Sequence, residues 1–247
     1  MEHLRWHSTV NECVLQSDIH VDGRHSFDFR KLKITFRSFC CEFQGGWLVG
    51  GTARETHVLG YVSVQLAQPY KARPNEGTRA IFTEFSPMAN PAFEPGRPGE
   101  SAIELGRVID CGLRNLVDAA NIAALAALST FRRPECTVGG DDGQQVIVHD
   151  PEVRDPLPLT IHHMPIAVTF AYFGEGNIVE EAVMGGRMTA TVNSNGDICA
   201  IQKAGGEGVM SSVVMQCLRI ASVKAADITS KIDKAVVEEK RRLPPNL

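Results

Sequence analysis

The stretch from Ser86 to Pro134 constrains the fold more than any other part of the chain. After Pro98 the next proline is Pro134. Ser101 stands three residues before Glu104, as in a capping box, and apolar residues recur at Ile103, Leu105, Val108, Ile109 and Leu113. These signals start a helix at Ser101. Ala119 to Leu128 is almost entirely Ala, Leu and Ile, which predicts a second helical run buried on most faces and stopped by Arg132, Arg133 and Pro134. Asn115 to Asp118, the joint between the runs, is too short to hold a strand.

A buried helix needs a sheet or other helices to cover it, and strand patterns flank this one on both sides. Residues up to Gln16 read as a short amphipathic arm or helix, ending before a turn at Asp22, Gly23 and Arg24. Leu32, Ile34 and Phe36 alternate with Lys31, Lys33 and Thr35, the period of a half-buried strand. Arg37 to Arg54 contains four glycines without a clean period and is expected to be irregular. His57 to Leu66 returns to strand composition, Gln68 to Gly77 reads as a loop carrying Lys71 and Arg73, and Thr78 to Phe85 reads as a further strand.

Beyond the helical stretch, Gly139 to Gln145 is a polar turn and Val146 to His149 a short strand, while Asp150 to Leu159, with three prolines, reads as an extended linker. Strands follow at Ile161 to Phe173, Arg187 to Val192 and Ile198 to Gln202, the last two joined by an Asn-Ser-Asn-Gly-Asp turn. Gly208 to Lys240 then carries a helical stripe: Val209, Val213, Cys217, Ile220, Val223, Ile228, Ile232 and Val236. Strands followed by a helix, twice over, predict an α+β fold built as a pseudo-duplication, with halves at 1–149 and 150–247.

Composition narrows the function classes. The formal net charge of -4 lacks the basic excess of free-standing nucleic-acid binders, so any RNA contact must be local. Seven scattered cysteines without a CxxC pair favour reduced thiols over disulfides or zinc, in a nuclear or cytosolic setting. No apolar run approaches the ~20 residues that a membrane span requires, and the first residues lack a signal-peptide core.

Five motifs occur in order: His20-Val21-Asp22-Gly23-Arg24 with Asp28-Phe29-Arg30; Arg73-Pro74-Asn75-Glu76-Gly77; Pro91-Ala92-Phe93-Glu94-Pro95-Gly96-Arg97; Phe131-Arg132-Arg133-Pro134; and Ile161-His162-His163-Met164-Pro165-Ile166. Together they resemble the RNase PH family, from about Ile19 to Lys234, and within it the non-catalytic ring subunits of the eukaryotic RNA exosome. The resemblance implies two β-α-β halves of the left-handed kind seen in ribosomal proteins, packed face to face. It also implies a ring of six such subunits under cap subunits, a channel threading single-stranded RNA, and residence in the nucleus, nucleolus and cytoplasm. No cofactor is implied.

Three departures accompany the resemblance. Family members carry two long strands and their hairpin between the helix ending near Arg114 and the Leu116-Val117-Asp118-Ala119-Ala120 segment, whereas here Arg114-Asn115 runs straight into it. Without that hairpin the two helices can fuse. The Arg37 to Arg54 stretch departs from the family's strand pattern, and the loop after Gly174 is shortened so that Gly176-Asn177-Ile178-Val179 joins Glu180-Glu181-Ala182.

Phosphorolysis requires a cradle of backbone N–H groups and a guanidinium around phosphate, which the family supplies with a Gly-Thr-Arg turn at a helix start. The matching Asn115, Leu116 and Val117 offer no cation and no hydroxyl, so no catalytic residue is assigned and the chain is expected to be inactive. An active phosphate-dependent 3′-to-5′ exoribonuclease is the alternative, as is a truncated form that does not assemble. Glu180 and Glu181, adjacent in a strand, point to opposite faces, and His162 and His163 do likewise without a third ligand, so no metal site is assigned. The candidate RNA contacts are Lys71, Arg73, Arg97, Arg107 and Arg114, because guanidinium and ammonium groups hold phosphates without reading sequence. Arg107 and Arg114, seven apart, share a helix face. The competing role for some of them is an ion pair within the subunit, such as Arg107 with Glu104.

Overall fold

A computed structural model describes residues 32–36, 44–49, 58–68, 70, 72–73, 76–84, 86, 114–139, 145–150, 152–173, 177–178, 186–205 and 208–242. The expected amphipathic arm, the turn at residues 22–24, the helix starting at Ser101 and its possible fusion with the second run lie outside them.

The second helical run is α1, Arg114–Thr130. It is the centre of the molecule. Asp118, Ala120, Ile122, Ala123, Leu125, Ala126 and Ala127 are all buried, which an Ala-rich helix allows because small side chains admit neighbours on several sides. Its last turn is closed locally: Ser129 Oγ donates to the Leu125 carbonyl (2.8 Å) and Thr130 Oγ1 to the Ala126 carbonyl (3.0 Å).

One side of α1 holds an antiparallel hairpin of β1, Gln44–Val49, and β2, Val58–Ser63, in the register Gly46↔Tyr61 and Trp47↔Gly60. The strand within the stretch expected to be irregular corrects that expectation. Gly45 and Gly46 weaken a strand, yet six residue pairs of ladder with β2 supply the hydrogen bonds that hold it. Gly60 explains how closely this hairpin docks: a Cβ there would meet the Ala123 carbonyl oxygen at 3.1 Å.

Two further expectations are corrected here. Residues 32–36 form no strand, although Leu32, Ile34 and Phe36 still pack on the core; Lys33 is exposed, but Thr35, expected on the outer face, is half-buried like its neighbours. Residues 78–84 also form no strand, because no neighbouring strand pairs with them among the described residues.

After α1 the chain makes short pairings: β3, Arg132–Arg133, with β6, Leu157–Pro158, and β4, Cys136–Gly139, with β5, Gln145–Val148. The linker expected over Asp150 to Leu159 is therefore partly structured. The Asp150 carbonyl accepts from Val153 N (2.9 Å) and Arg154 N (3.0 Å), and Arg154 pairs with Glu135 at 2.9 Å.

The main sheet has the order β10-β9-β7-β8, all antiparallel: β7 is Ile166–Phe173, β8 Asn177–Ile178, β9 Gly186–Val192 and β10 Ile198–Ala204. β7 begins after Pro165, later than Ile161 as expected, since a proline has no N–H for a ladder. The β9–β10 turn is built by Asn193, whose Oδ1 accepts from Asn195 N (3.0 Å) and Asp197 N (2.8 Å), with Gly196 at φ 89°.

The 32-residue α2, Ser211–Arg242, covers this sheet. Cys217, Ala221, Ala225, Ile228, Ile232 and Val236 form its buried stripe, spaced three and four apart. Val223, expected in that stripe, is exposed instead, two residues from both Ala221 and Ala225 and so on the opposite face of the helix. These side chains meet Ile166, Val168, Phe170, Met188, Ala190 and Val192 from the sheet and Ile122, Leu125 and Ala126 from α1 in one continuous core. Residues from both sequence halves thus share a single core.

Candidate nucleic-acid interface

The free edge of β7 is where α1 joins the main sheet, and polar side chains make the joint. Asp118 Oδ2 accepts from Thr169 N (3.1 Å) and its Oδ1 from Thr169 Oγ1 (2.9 Å), while Thr169 Oγ1 lies 3.1 Å from Thr189 Oγ1 on β9. One helical turn on, Asn121 Oδ1 accepts from Ala167 N (3.1 Å) and its Nδ2 donates to the Pro165 carbonyl (3.1 Å). The i,i+3 spacing puts both side chains on one helix face, against alternate residues of a strand whose other edge pairs with β9. Side chains thus supply what a further strand would supply, and the edge is closed.

This joint was not singled out from the sequence. Its signal was there: Asp118 and Asn121 are two polar residues three apart in an otherwise Ala, Leu and Ile run. Asp118 and Thr189 are buried and hydrogen-bonded, as buried polar groups must be. The arrangement orients the first turns of α1, and Asp118 is committed to Thr169.

Of the five candidate RNA contacts, Arg73 is described in full. It sits on the loop after β2, its side chain 70% exposed, with Nη1 3.0 Å from Glu76 Oε2. The backbone curls there, Arg73 N donating to the Tyr70 carbonyl (2.9 Å) and Glu76 N to that of Arg73 (3.2 Å). The intramolecular ion pair weighed for the arginines is therefore realised at Arg73, in an exposed pair of small energy that a phosphate can displace. Arg114 is the first residue of α1, with Asn115, Leu116 and Val117 in the same first turn. Lys71, Arg97, Arg107, Glu180 and Glu181 lie outside the described residues. The structure thus does not bring the five cations together or apart.

His162 and His163 are both exposed just before β7. Among the described residues no three of His, Cys, Asp and Glu gather as a metal-holding group, and no helix is long and apolar enough to cross a membrane.

Comparison with known proteins places this architecture. Residues 163–224, which run from just before β7 into α2, match the 3′ exoribonuclease family, domain 2. The chain is 55% identical to exosome complex component RRP45B of Arabidopsis thaliana over 94% of its own length and 62% of the relative's. It is 52% identical to RRP45A of the same plant, over 96% of this chain and 89% of that one. Human RRP45 is 36% identical, over 90% of this chain and 57% of that protein. The chain thus spans about three fifths of the longer relatives and most of the shorter one.

Among solved structures, a chain of the Archaeoglobus fulgidus exosome with RNA bound to the active site superposes with a TM-score of 0.69 at 24% identity. That match covers 94% of this chain and 99% of the other. An archaeal exosome core gives 0.68 at 21% identity, covering 93% and 97%. These likenesses fix the fold as RNase PH-like α+β. With the identity to RRP45A spanning nearly all of both chains, this chain belongs to the RRP45 family of exosome complex components.

Proposed function

We propose that the chain is a non-catalytic ring subunit of an RNA exosome, in the place of the subunit called exosome component 9. In that place it supports assembly and guides single-stranded RNA for 3′-to-5′ processing and degradation. The observation that carries this reading is the 52% identity to RRP45A over 96% of this chain. Its partners on this reading are other RNase PH-like ring subunits, cap subunits and single-stranded RNA, in the nucleus, nucleolus and cytoplasm. The halves 1–149 and 150–247 stand as the two units of a pseudo-duplication.

The chemistry at the start of α1 supports the reading of an inactive subunit. The first turn reads Arg114-Asn115-Leu116-Val117, without the hydroxyl and the following guanidinium of a Gly-Thr-Arg cradle, and the next acid, Asp118, is bound to Thr169. Lys71, Arg73, Arg97, Arg107 and Arg114 are proposed as phosphate contacts along the RNA path, a role that tolerates any sequence.

Co-purification with the other ring subunits tests the reading. Incorporation at the ring position, with no nucleoside diphosphate released from RNA and added phosphate, is the expected result. Release of nucleoside diphosphates would establish the exoribonuclease instead. In the assembled ring, Arg107→Glu with Arg114→Glu is expected to weaken RNA protection in a salt-dependent way while assembly is kept.

One observation favours a second reading, a truncated form that does not assemble. The match to RRP45B runs over 277 positions, more than the 247 residues present, so the relative has segments without counterpart here. This supports the absence of the hairpin between Arg114 and Leu116, and with it an incomplete first-half sheet. Failure to co-purify, rescued by restoring the relative's segment, would establish this second reading.

A further inference from the structure

The loop after β2 carries an aromatic ring and a guanidinium on one closed turn. Arg73 N donates to the Tyr70 carbonyl (2.9 Å), an i,i+3 bond of the kind that brings the two Cα atoms within about 7 Å of each other. Tyr70 is 75% exposed and the Arg73 side chain 70%, so both are open to solvent. Glu76 Oε2, 3.0 Å from Arg73 Nη1, holds the guanidinium where it lies. Phe82 is more exposed, but no backbone hydrogen bond among the described residues ties it to a cationic residue.

An exposed aromatic often marks an apolar protein contact, yet residues 70–76, Tyr-Lys-Ala-Arg-Pro-Asn-Glu, hold no other large apolar side chain and three charged ones. Protein interfaces are poor in charge at their centres. An unpaired nucleotide offers the complementary features, a base with a π-face and a phosphate, and the ring can take the first while the guanidinium takes the second. A base inside a duplex is already stacked on its neighbours, so only a single strand can use the ring. Every base has a π-face, so the contact reads no sequence.

We propose that Tyr70 is a base-stacking residue for single-stranded RNA, with Arg73 holding a phosphate of the same strand beside it. This rests on the reading of an RNA-guiding ring subunit and adds to it a contact with the bases. Glu76 competes with the phosphate for Arg73, and opening that exposed ion pair costs little.

Anisotropy of a labelled single-stranded RNA of mixed sequence, titrated over a salt series with the ring assembled from the full chain, tests the assignment. Tyr70→Ala is expected to weaken binding roughly tenfold at every salt concentration, and Tyr70→Phe, which keeps the ring, to bind like the parent. Arg73→Gln is expected to flatten the slope of log K against log salt by about 0.7, the share of one phosphate on a single strand. Photocrosslinking of the same RNA to the full chain alone, expected at Tyr70, reads the contact where no ring forms, so failure of assembly and failure of stacking are told apart. Unchanged affinity with Tyr70→Ala, weakened binding with Tyr70→Phe, a slope unchanged by Arg73→Gln, equal binding of double-stranded RNA, or no crosslink at Tyr70 would each overturn the proposal. Loss of ring assembly with Tyr70→Ala would overturn it as well, by assigning the ring of Tyr70 to a neighbouring protein subunit.

Discussion

Two of the sheets among the described residues, the main sheet and the β1–β2 hairpin, were given similar raw material and ended differently. The main sheet has four strands, a helix across one face and a polar clamp on the free edge of β7. The β1–β2 hairpin has two strands, α1 on its inner face, and an outer face where Leu59 is 53% and Tyr61 65% exposed. Beyond it, residues 78–84 remain without a ladder. The difference lies in partners rather than propensity. Gln44–Val49 contains two glycines and is a strand because β2 pairs with it, while residues 78–84 have better strand formers and no strand paired with them among the described residues.

Substitutions across the two regions can break or sharpen this contrast. Ile232 is fully buried where α2 meets the main sheet, so Ile232→Ala removes three carbons and leaves a cavity. A loss of about 3 kcal/mol is expected in denaturant unfolding. A loss below about 1 kcal/mol would mean that the main sheet is as loosely covered as the hairpin. Asp118→Ala comes next. It leaves Thr169 N without its acceptor, while Thr169 Oγ1 keeps Thr189, so about 2 kcal/mol is expected. A change within the error of unfolding measurements would show that the clamp on β7 is dispensable.

These cases also show what the sequence could tell. The α2 stripe was legible because its 3.6-residue period extends over many turns, and Val223 was misread because a pattern of apolar residues does not by itself give the phase of the buried line. The main-sheet strands were legible from β-branched runs bounded by turns, the Asn193 turn above all. The hairpin was not, because glycine counts argue against a strand while pairing, which is non-local, decides for it. At the candidate interface, the sequence shows directly that Asn115, Leu116 and Val117 carry neither a cation nor a hydroxyl. The Asp118–Thr169 joint links residues 51 apart in sequence, a separation that no local window spans.

Gly60→Ala examines the dock between hairpin and helix. The added methyl would stand 3.1 Å from the Ala123 carbonyl oxygen and 3.3 Å from the Ala123 Cβ, so backbone must shift by a few tenths of an ångström. About 1 kcal/mol of destabilisation is expected from such overpacking. A neutral or stabilising result, as when alanine replaces a strand glycine that has room, would show that the hairpin does not sit on α1 in solution.

The smallest effect expected is that of Tyr61→Ser, on the opposite face of the same strand. Tyr61 alternates outward from β2 between Gly60 and the half-buried Val62, and its cross-strand neighbour is Gly46, so no side chain stands directly opposite to pack against the ring. Loss of the ring should therefore change the stability of the isolated chain by no more than about 0.5 kcal/mol, most of it strand propensity. Paired with Gly60→Ala, the measurement separates the hairpin's two faces: one methyl added inside should cost more than a whole aromatic ring removed outside. If the order reverses, the outer face is covered in the isolated chain, and the contrast between a finished sheet and an unfinished one fails.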